Sequence, residues 1–221
     1  MSKRPRIKIC CISSVEEANM AIKAGADALG LVSNMPSGPG VISEQLIKDI
    51  ASHTPPPIGS FLLTSETTAP SIIEQHQKVQ TNTIQLVDAI PIDHYALLRK
   101  GIPTVKLVQV IHVMDEKSIE EAMEVAPHVD ALLLDSGNPN AAVKVLGGTG
   151  KTHNWVVSRK IVESVSIPVF LAGGLNENNV QKALDEVNPY GLDLCSSVRT
   201  DGKLDADKLE RFFSSAMGHY S

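Results

Sequence analysis

Cysteine is scarce: three in 221 residues, with Cys10 and Cys11 side by side. An odd, sparse set of this kind makes a poor disulfide framework. No secretory segment follows Met1, because Ser2 to Lys8 is polar, and no apolar run approaches the length of a membrane span. These absences point to a reducing cytoplasm and away from a membrane. A large excess of one charge is missing too. The net charge is −5, whereas a nucleic-acid-binding domain carries a basic footprint, so no nucleic-acid partner is expected. The one dense basic cluster, Lys3, Arg4, Arg6 and Lys8, leads into a strand and reads as a solvated terminus. Low-complexity tracts and breaks in composition are lacking, and 43% hydrophobic content is ample for a large core. One domain over residues 1–221 is expected.

What is present is an alternation. Short apolar runs rich in Val, Ile and Leu occur at 7–11, 28–32, 58–63, 83–87, 104–111, 131–134, 167–171 and 191–195. Gly, Pro, Asp or Ser bounds each, and they show the near-continuous hydrophobicity of buried parallel strands. Helical patterns lie at 15–24, 44–53, 70–79, 94–100, 118–125, 155–165, 177–186 and 206–216. Ser14 with Glu17 fits a capping box, Ser43 begins the second helix and Gly25 closes the first. Eight strands each followed by a helix predict a single-domain (β/α)₈ barrel. An open doubly wound sheet shares the alternation and is the alternative.

In such barrels function gathers on strand ends and the loops that follow them. The first run ends Lys8-Ile9-Cys10-Cys11. Strand alternation puts Lys8 and Cys10 on one face and Cys11 on the other. An ammonium neighbour favours a thiolate, which can serve as base or nucleophile, although free cysteines are commonly small core residues. The sixth run ends in Asp135. A carboxyl there can act as a general acid once desolvation raises its pKa, or it can cap the loop. His112, ending the fifth run, is a substrate contact or a hydrogen-bonded core residue.

Gly147-Gly148-Thr149-Gly150-Lys151-Thr152 is not a P-loop, because Val145 stands where the pattern needs glycine and no strand immediately precedes it. A long loop on this face reads as a mobile lid. Gly173-Gly174 after the seventh run and Ser196-Ser197 after the eighth suit backbone binding of an anion, at the recurring phosphate site of this fold. A metal site drawn from Cys10, His112, Cys195 and Asp135 is conceivable but has no diagnostic spacing, and none is expected.

Lys8-Ile9-Cys10, Gly25-Ala26-Asp27-Ala28-Leu29-Gly30, Gln85-Leu86, Leu134-Asp135, Gly147 to Gly150 with Trp155, Ala172-Gly173-Gly174-Leu175 with Asn179-Val180, and 193–202 occur in that order. Together they resemble the phosphoribosylanthranilate isomerase family of tryptophan biosynthesis over nearly the whole chain. The resemblance implies an Amadori rearrangement of N-(5-phosphoribosyl)anthranilate, with no metal or organic cofactor, by a monomer or homodimer. It implies Asp135 as general acid toward the furanose ring oxygen and Cys10 as general base toward the C2′ proton. Gly173, Gly174, Ser196 and Ser197 would hold the phosphate, and Lys8 and Gln85 would contact the small phosphorylated sugar.

The chain departs from the family pattern at several positions. Cys11 follows the catalytic cysteine in place of glycine. Pro39 replaces an arginine expected on the anthranilate carboxylate, and Arg199 reads either as a substitute cation or as one half of a surface ion pair. Val87-Asp88 replaces His-Gly, Asn154 replaces Asp, and the eighth loop ends in Ser196-Ser197-Val198-Arg199. Two alternatives stay open: a related isomerase acting on another phosphorylated amino-sugar, and a non-catalytic phosphate-binding barrel.

Overall fold

The computed structural model describes residues 4–137 and 153–218. Eight parallel strands alternate with helices: β1 (Arg6–Ile9), α1 (Val15–Ala24), β2 (Ala28–Val32), α2 (Glu44–His53), β3 (Gly59–Thr64), α3 (Ala69–Val79), β4 (Thr83–Leu86) and α4 (Ile92–Gly101) form the first half. The second half is β5 (Lys106–His112), α5 (Lys117–Val125), β6 (Ala131–Asp135), α6 (Trp155–Ser164), β7 (Val169–Leu171), α7 (Val180–Val187), β8 (Gly191–Leu194) and, at the end, α8 (Ala206–Met217). The barrel closes where β1 pairs with β8, Arg6 opposite Gly191 through Ile9 opposite Leu194. That register rules out the open sheet.

Each strand sorts its residues by parity. Ile7, Ile9, Leu29, Leu31, Leu132, Leu134, Leu192 and Leu194 belong to the aliphatic layer between sheet and helices. Cys10, Ala28, Val32, Phe61, Leu63, Val108, Val110, Leu133, Phe170 and Ala172 form a second, smaller cluster inside the barrel. The strands looked uniformly apolar because both faces are buried. The outward face is mainly aliphatic, with Ser60, Thr64 and Gln109 as polar exceptions, whereas the inward parity carries Lys8, Gln85, Asp135 and Asp193.

The helix starts follow their caps. Ser14 Oγ accepts from the Glu17 N–H, and Ser43 Oγ from that of Leu46. Gly25 closes α1 in the left-handed region, φ 110°. The seventh helix begins at Val180 instead of 177, because asparagines hold the preceding residues in a turn. The Asn176 N–H donates to Asn179 Oδ1 at 2.8 Å, and that of Asn178 to Asn176 Oδ1 at 2.9 Å. A small hairpin, β9 (Arg199–Thr200) with β10 (Lys203–Leu204), was not anticipated. Its turn residues Asp201 and Gly202 have φ 50° and 77°, so Asp-Gly is the signal the sequence offered.

Gly191 makes room for an interior aromatic. A Cβ there would stand 2.6 Å from the Phe170 ring and 2.9 Å from the Arg6 carbonyl. Gly191→Ala is therefore expected to destabilise the barrel by about 1–3 kcal/mol through overpacking. Thermal denaturation measures this, and an unchanged midpoint would contradict the packing described.

Candidate active site

At the C-terminal ends of the strands lies an open cavity of about 720 Å³, counting its mouth. Cys10, Cys11, Pro39, Gln85, Asp135, Gly173, Gly174, Asp193, Cys195, Ser196 and Ser197 are among its lining residues. Most of the expected site residues thus share one space. Lys8 and Arg199 do not line it.

Lys8 is fully buried below the cavity, not part of a solvated terminus. Its Nζ donates to both Asp193 carboxylate oxygens at 2.9 Å and lies 5.4 Å from the centroid of the Phe61 ring. Burial works against the ammonium, but Asp193 and the neighbouring thiols outweigh it, so the pKa of Lys8 is raised and the side chain stays charged. Gly30 gives this arrangement its space: a Cβ there would stand 2.8 Å from Cys10 Sγ and 3.0 Å from Lys8 Nζ. The ammonium and the thiol are therefore close neighbours beneath the cavity. Asp193 and Gly30 were not assigned roles from sequence. Inward parity on adjacent strands β8 and β1 is the signal that pairs Asp193 with Lys8.

Arg199 is committed elsewhere. Its guanidinium is 8% exposed and paired with Glu17 at 3.1 Å. It also donates to the carbonyls of Cys10, at 3.2 Å, Cys11 and Gly202. It braces the end of β1 from behind and is not a free cation in the cavity. Glu17 in turn accepts from the N–H groups of Ser13 and Leu204. Burial alone would raise the Glu17 carboxyl, but the Leu204 N–H, Arg199 and the Ser13 N–H reverse it, leaving its pKa lowered.

Cys11 faces the cavity, contrary to the alternation expected of a continuing strand. β1 ends at Ile9, and Cys11 takes φ 62°, a left-handed conformation that favours glycine. Its thiol approaches the Pro39 carbonyl at 3.6 Å.

Asp135 is 9% exposed, and its Oδ1 accepts from the Ser136 N–H at 2.7 Å. Burial raises its pKa, with the Ser136 N–H, His112 and Lys8 pulling partly against it. His112 sits opposite Asp135 in the β5–β6 register, Nε2 hydrogen-bonded to the Val87 carbonyl at 3.0 Å, and does not line the cavity. Gln85 is buried on the cavity wall, and its Oε1 has no partner among the described residues.

Gly173 and Gly174 adopt φ 84° and 64°, and Asn179 holds the Gly174 carbonyl at 2.9 Å. Ser196 opens a 3₁₀ turn, Ser196–Val198. Among the described residues, no backbone acceptor takes the N–H groups of Gly173, Gly174, Ser196 or Ser197. Nor is any group of three His, Cys, Asp or Glu arranged there to hold a metal ion. No helix described is long and apolar enough to cross a membrane. The glycine-rich segment at 147–150, with the lid assigned to it, lies outside the described residues.

The family model for N-(5′-phosphoribosyl)anthranilate isomerase matches residues 7–215. The chain belongs to this family. It is 36% identical to N-(5′-phosphoribosyl)anthranilate isomerase 2 of Methanosarcina mazei, covering 97% of this chain and 95% of that protein. The Methanocella arvoryzae isomerase is 33% identical, covering 94% and 95%. The crystal structure of the Thermotoga maritima isomerase superposes with a TM-score of 0.82 at 30% identity, covering 97% of this chain and 99% of that one. A further isomerase structure, in complex with reduced 1-(o-carboxyphenylamino)-1-deoxyribulose 5-phosphate, gives 0.79 at 28% identity with the same coverage.

Two departures from the isomerase family pattern have a structural reading. Asn154 is the N-cap of α6, its Oδ1 accepting from the Val156 N–H at 3.0 Å, a role Asn and Asp fill about equally. Pro39 is exposed at the cavity rim beside Gly38 and Gly40, both with positive φ. An open loop, not a buried constraint, thus holds the position of the missing arginine.

The raised pKa of Asp135 has a cost with a definite sign. Above about 3.9 the unfolded chain ionises this carboxyl freely while the folded chain resists, so the group lowers stability at neutral pH. Asp135→Asn, which keeps the oxygen that accepts from Ser136, is expected to raise the thermal midpoint at pH 7. The gain shrinks as pH falls toward the ordinary carboxylate range. Denaturation at several pH values checks this, and a lower midpoint at pH 7 would contradict it.

Proposed function

We propose that the chain catalyses the Amadori rearrangement of N-(5-phosphoribosyl)anthranilate to 1-(o-carboxyphenylamino)-1-deoxyribulose 5-phosphate. The observation that carries this reading is the convergence of Cys10 and Asp135, from the ends of β1 and β6, on one cavity where backbone amides after β7 and β8 have no backbone acceptor among the described residues. The Asp135 carboxyl donates its proton to the furanose ring oxygen as the C1′–O bond breaks, and the anilino nitrogen lone pair completes a Schiff base. The Cys10 thiolate then removes the C2′ proton, the C–H electrons flow toward the iminium, and the enolamine tautomerises to the ketone. Both steps are proton transfers, so nothing beyond a positioned acid and base is required.

The surroundings suit those roles. Burial keeps the Asp135 carboxyl protonated further up the pH scale than an exposed carboxyl. The buried Lys8 ammonium gives the thiolate a positive neighbour without occupying the cavity. The amides of Gly173, Gly174, Ser196 and Ser197 offer neutral donors for the phosphate. The Oε1 atom of Gln85 can accept from a substrate hydroxyl. Three free thiols fit a reducing cytoplasm.

Cys10→Ala and Asp135→Asn are each expected to lower kcat by about two to four decades, the usual share of a positioned proton-transfer group. The wild-type rate should pass through a maximum with pH, since the base acts as thiolate and the acid as neutral carboxyl. Steady-state assays following product fluorescence or absorbance decide it. Undiminished turnover by Cys10→Ala would remove the mechanism, and no turnover by the wild type would favour a different phosphorylated amino-sugar.

Among the described residues that line the cavity there is no Lys or Arg. Pro39→Arg is therefore expected to lower KM for the anthranilate substrate several-fold with kcat little changed, as an added ground-state contact does. An unchanged KM would show that the aryl carboxylate is held from another side.

A further inference from the structure

The order of the strands divides the cavity into two sides. Asp135, Asp193 and the glycine and serine loops belong to β6, β7 and β8, and β2, β3 and β4 lie across the closed barrel from them. The lining on that opposite side is Cys11, Val32, Met35, Pro39, Leu63 and Val87. Val32 and Leu63 are register partners, and the Val87 N–H donates to the Thr64 carbonyl at 3.1 Å. Cys11, Val32, Leu63 and Val87 belong to one buried cluster, and Met35 packs against it. Ser37 and Gln85, which also line this side, are polar but neutral. Three departures from the isomerase family pattern, Cys11, Pro39 and Val87, thus fall on one apolar wall.

The loop after β2 is fastened to this wall. Val32 bridges to Val41 at the far end of the loop, and the Ile42 N–H donates to the Val32 carbonyl at 3.0 Å. Cys11 supports it from below. Its thiol approaches the Pro39 carbonyl at 3.6 Å, and a Cβ on Gly40 would stand 2.5 Å from that of Cys11. The loop therefore rests directly on Cys11, and it carries Met35 and Pro39 to the cavity.

On the isomerase reading, which this inference rests on, the phosphate lies against the loops after β7 and β8 and the sugar lies between Cys10 and Asp135. The amine substituent then falls on the apolar wall. An aromatic ring suits that place, where aliphatic side chains cover it and the adaptable Met35 thioether can pack on it. A carboxylate on the ring does not suit it. Against these side chains it would lose its water and gain no partner, which is costly, so it stays in the open mouth and adds little to binding. We propose that the site recognises the aryl ring and not the carboxylate the ring bears. It accepts 5-phosphoribosylamines of uncharged aromatic amines, such as aniline, about as well as that of anthranilate.

Two unreactive probes test this by calorimetry on the full chain: reduced 1-(o-carboxyphenylamino)-1-deoxyribulose 5-phosphate and its counterpart without the carboxylate. Their dissociation constants should agree within about tenfold, because an apolar wall discriminates weakly where a paired charge discriminates by decades. Met35→Ala should weaken both probes alike, several-fold, and leave the binding of inorganic phosphate unchanged. A carboxylate probe tighter by more than about tenfold, a Met35→Ala variant that weakens neither, or failure of both probes to bind would overturn the proposal. So would turnover of the anthranilate substrate without turnover of the substrate made from aniline and ribose 5-phosphate. Equal binding of the probes with no turnover of either substrate would remove the isomerase reading and leave recognition of the ring standing.

Discussion

Lys8 Nζ holds both oxygens of Asp193 at 2.9 Å in a barrel interior where Lys8 is wholly shut off from water. Removing two such charges from solvent costs several kcal/mol per ion, so the arrangement persists only with near-ideal geometry and added partners. Here the carboxylate accepts twice, the Phe61 face lies on another side of the ammonium, and Gly30 leaves the space that both Lys8 and Cys10 occupy. Replacing the pair with leucines would fill the barrel more cheaply. What the ion pair supplies is a fixed positive charge beneath a thiol and within reach of Asp135, whose carboxyl it pulls partly back toward ionisation. Cys10 and Asp135 thus lie near the same buried cation from different strands.

The cavity itself is handled differently. The cations Lys8 and Arg199 lie under its floor and behind its wall, while the loops after β7 and β8 line it with glycine and serine. Amides impose direction through the backbone, which a flexible exposed lysine would not. Arg199, read from sequence as a substitute substrate cation, fits this division once its partners are seen. Its donors go to Glu17 and to the carbonyls of the two residues that follow β1.

The barrel was legible because its signals are local and repeated. Runs of Val, Ile and Leu, capping serines and the Gly25 stop each act within a few residues, and 15–24 and 44–53 match α1 and α2 residue for residue. That Cys10, Asp135, Gly173-Gly174 and Ser196-Ser197 would share the mouth of the barrel was legible because a polar or glycine-rich break at the end of an apolar run is conspicuous. The partnership of Lys8 with Asp193 was less so. It depends on a pairing that only barrel closure creates, across 185 positions of chain. The orientation of Cys11 escaped for another reason: alternation applies only while the strand continues, and one positive φ cancelled it.

Glu17 accepts from Ser13 at the start of α1, from Arg199 and Leu204 of the terminal hairpin, and caps nothing else. One carboxylate thereby joins the first βα unit to the last, 182 positions apart in the case of Arg199. The entropy of closing so large a ring grows only with the logarithm of its length, so distance alone adds little to the cost of this seam. Strand pairing and the Lys8–Asp193 pair fasten the same seam inside the barrel, and Glu17 fastens it outside. A fluctuation that parts Glu17 from Arg199 loosens the carbonyls behind Cys10 and the hairpin that follows the Ser196–Val198 turn together. In mechanical terms the barrel is a hoop with its clasp beside the cavity.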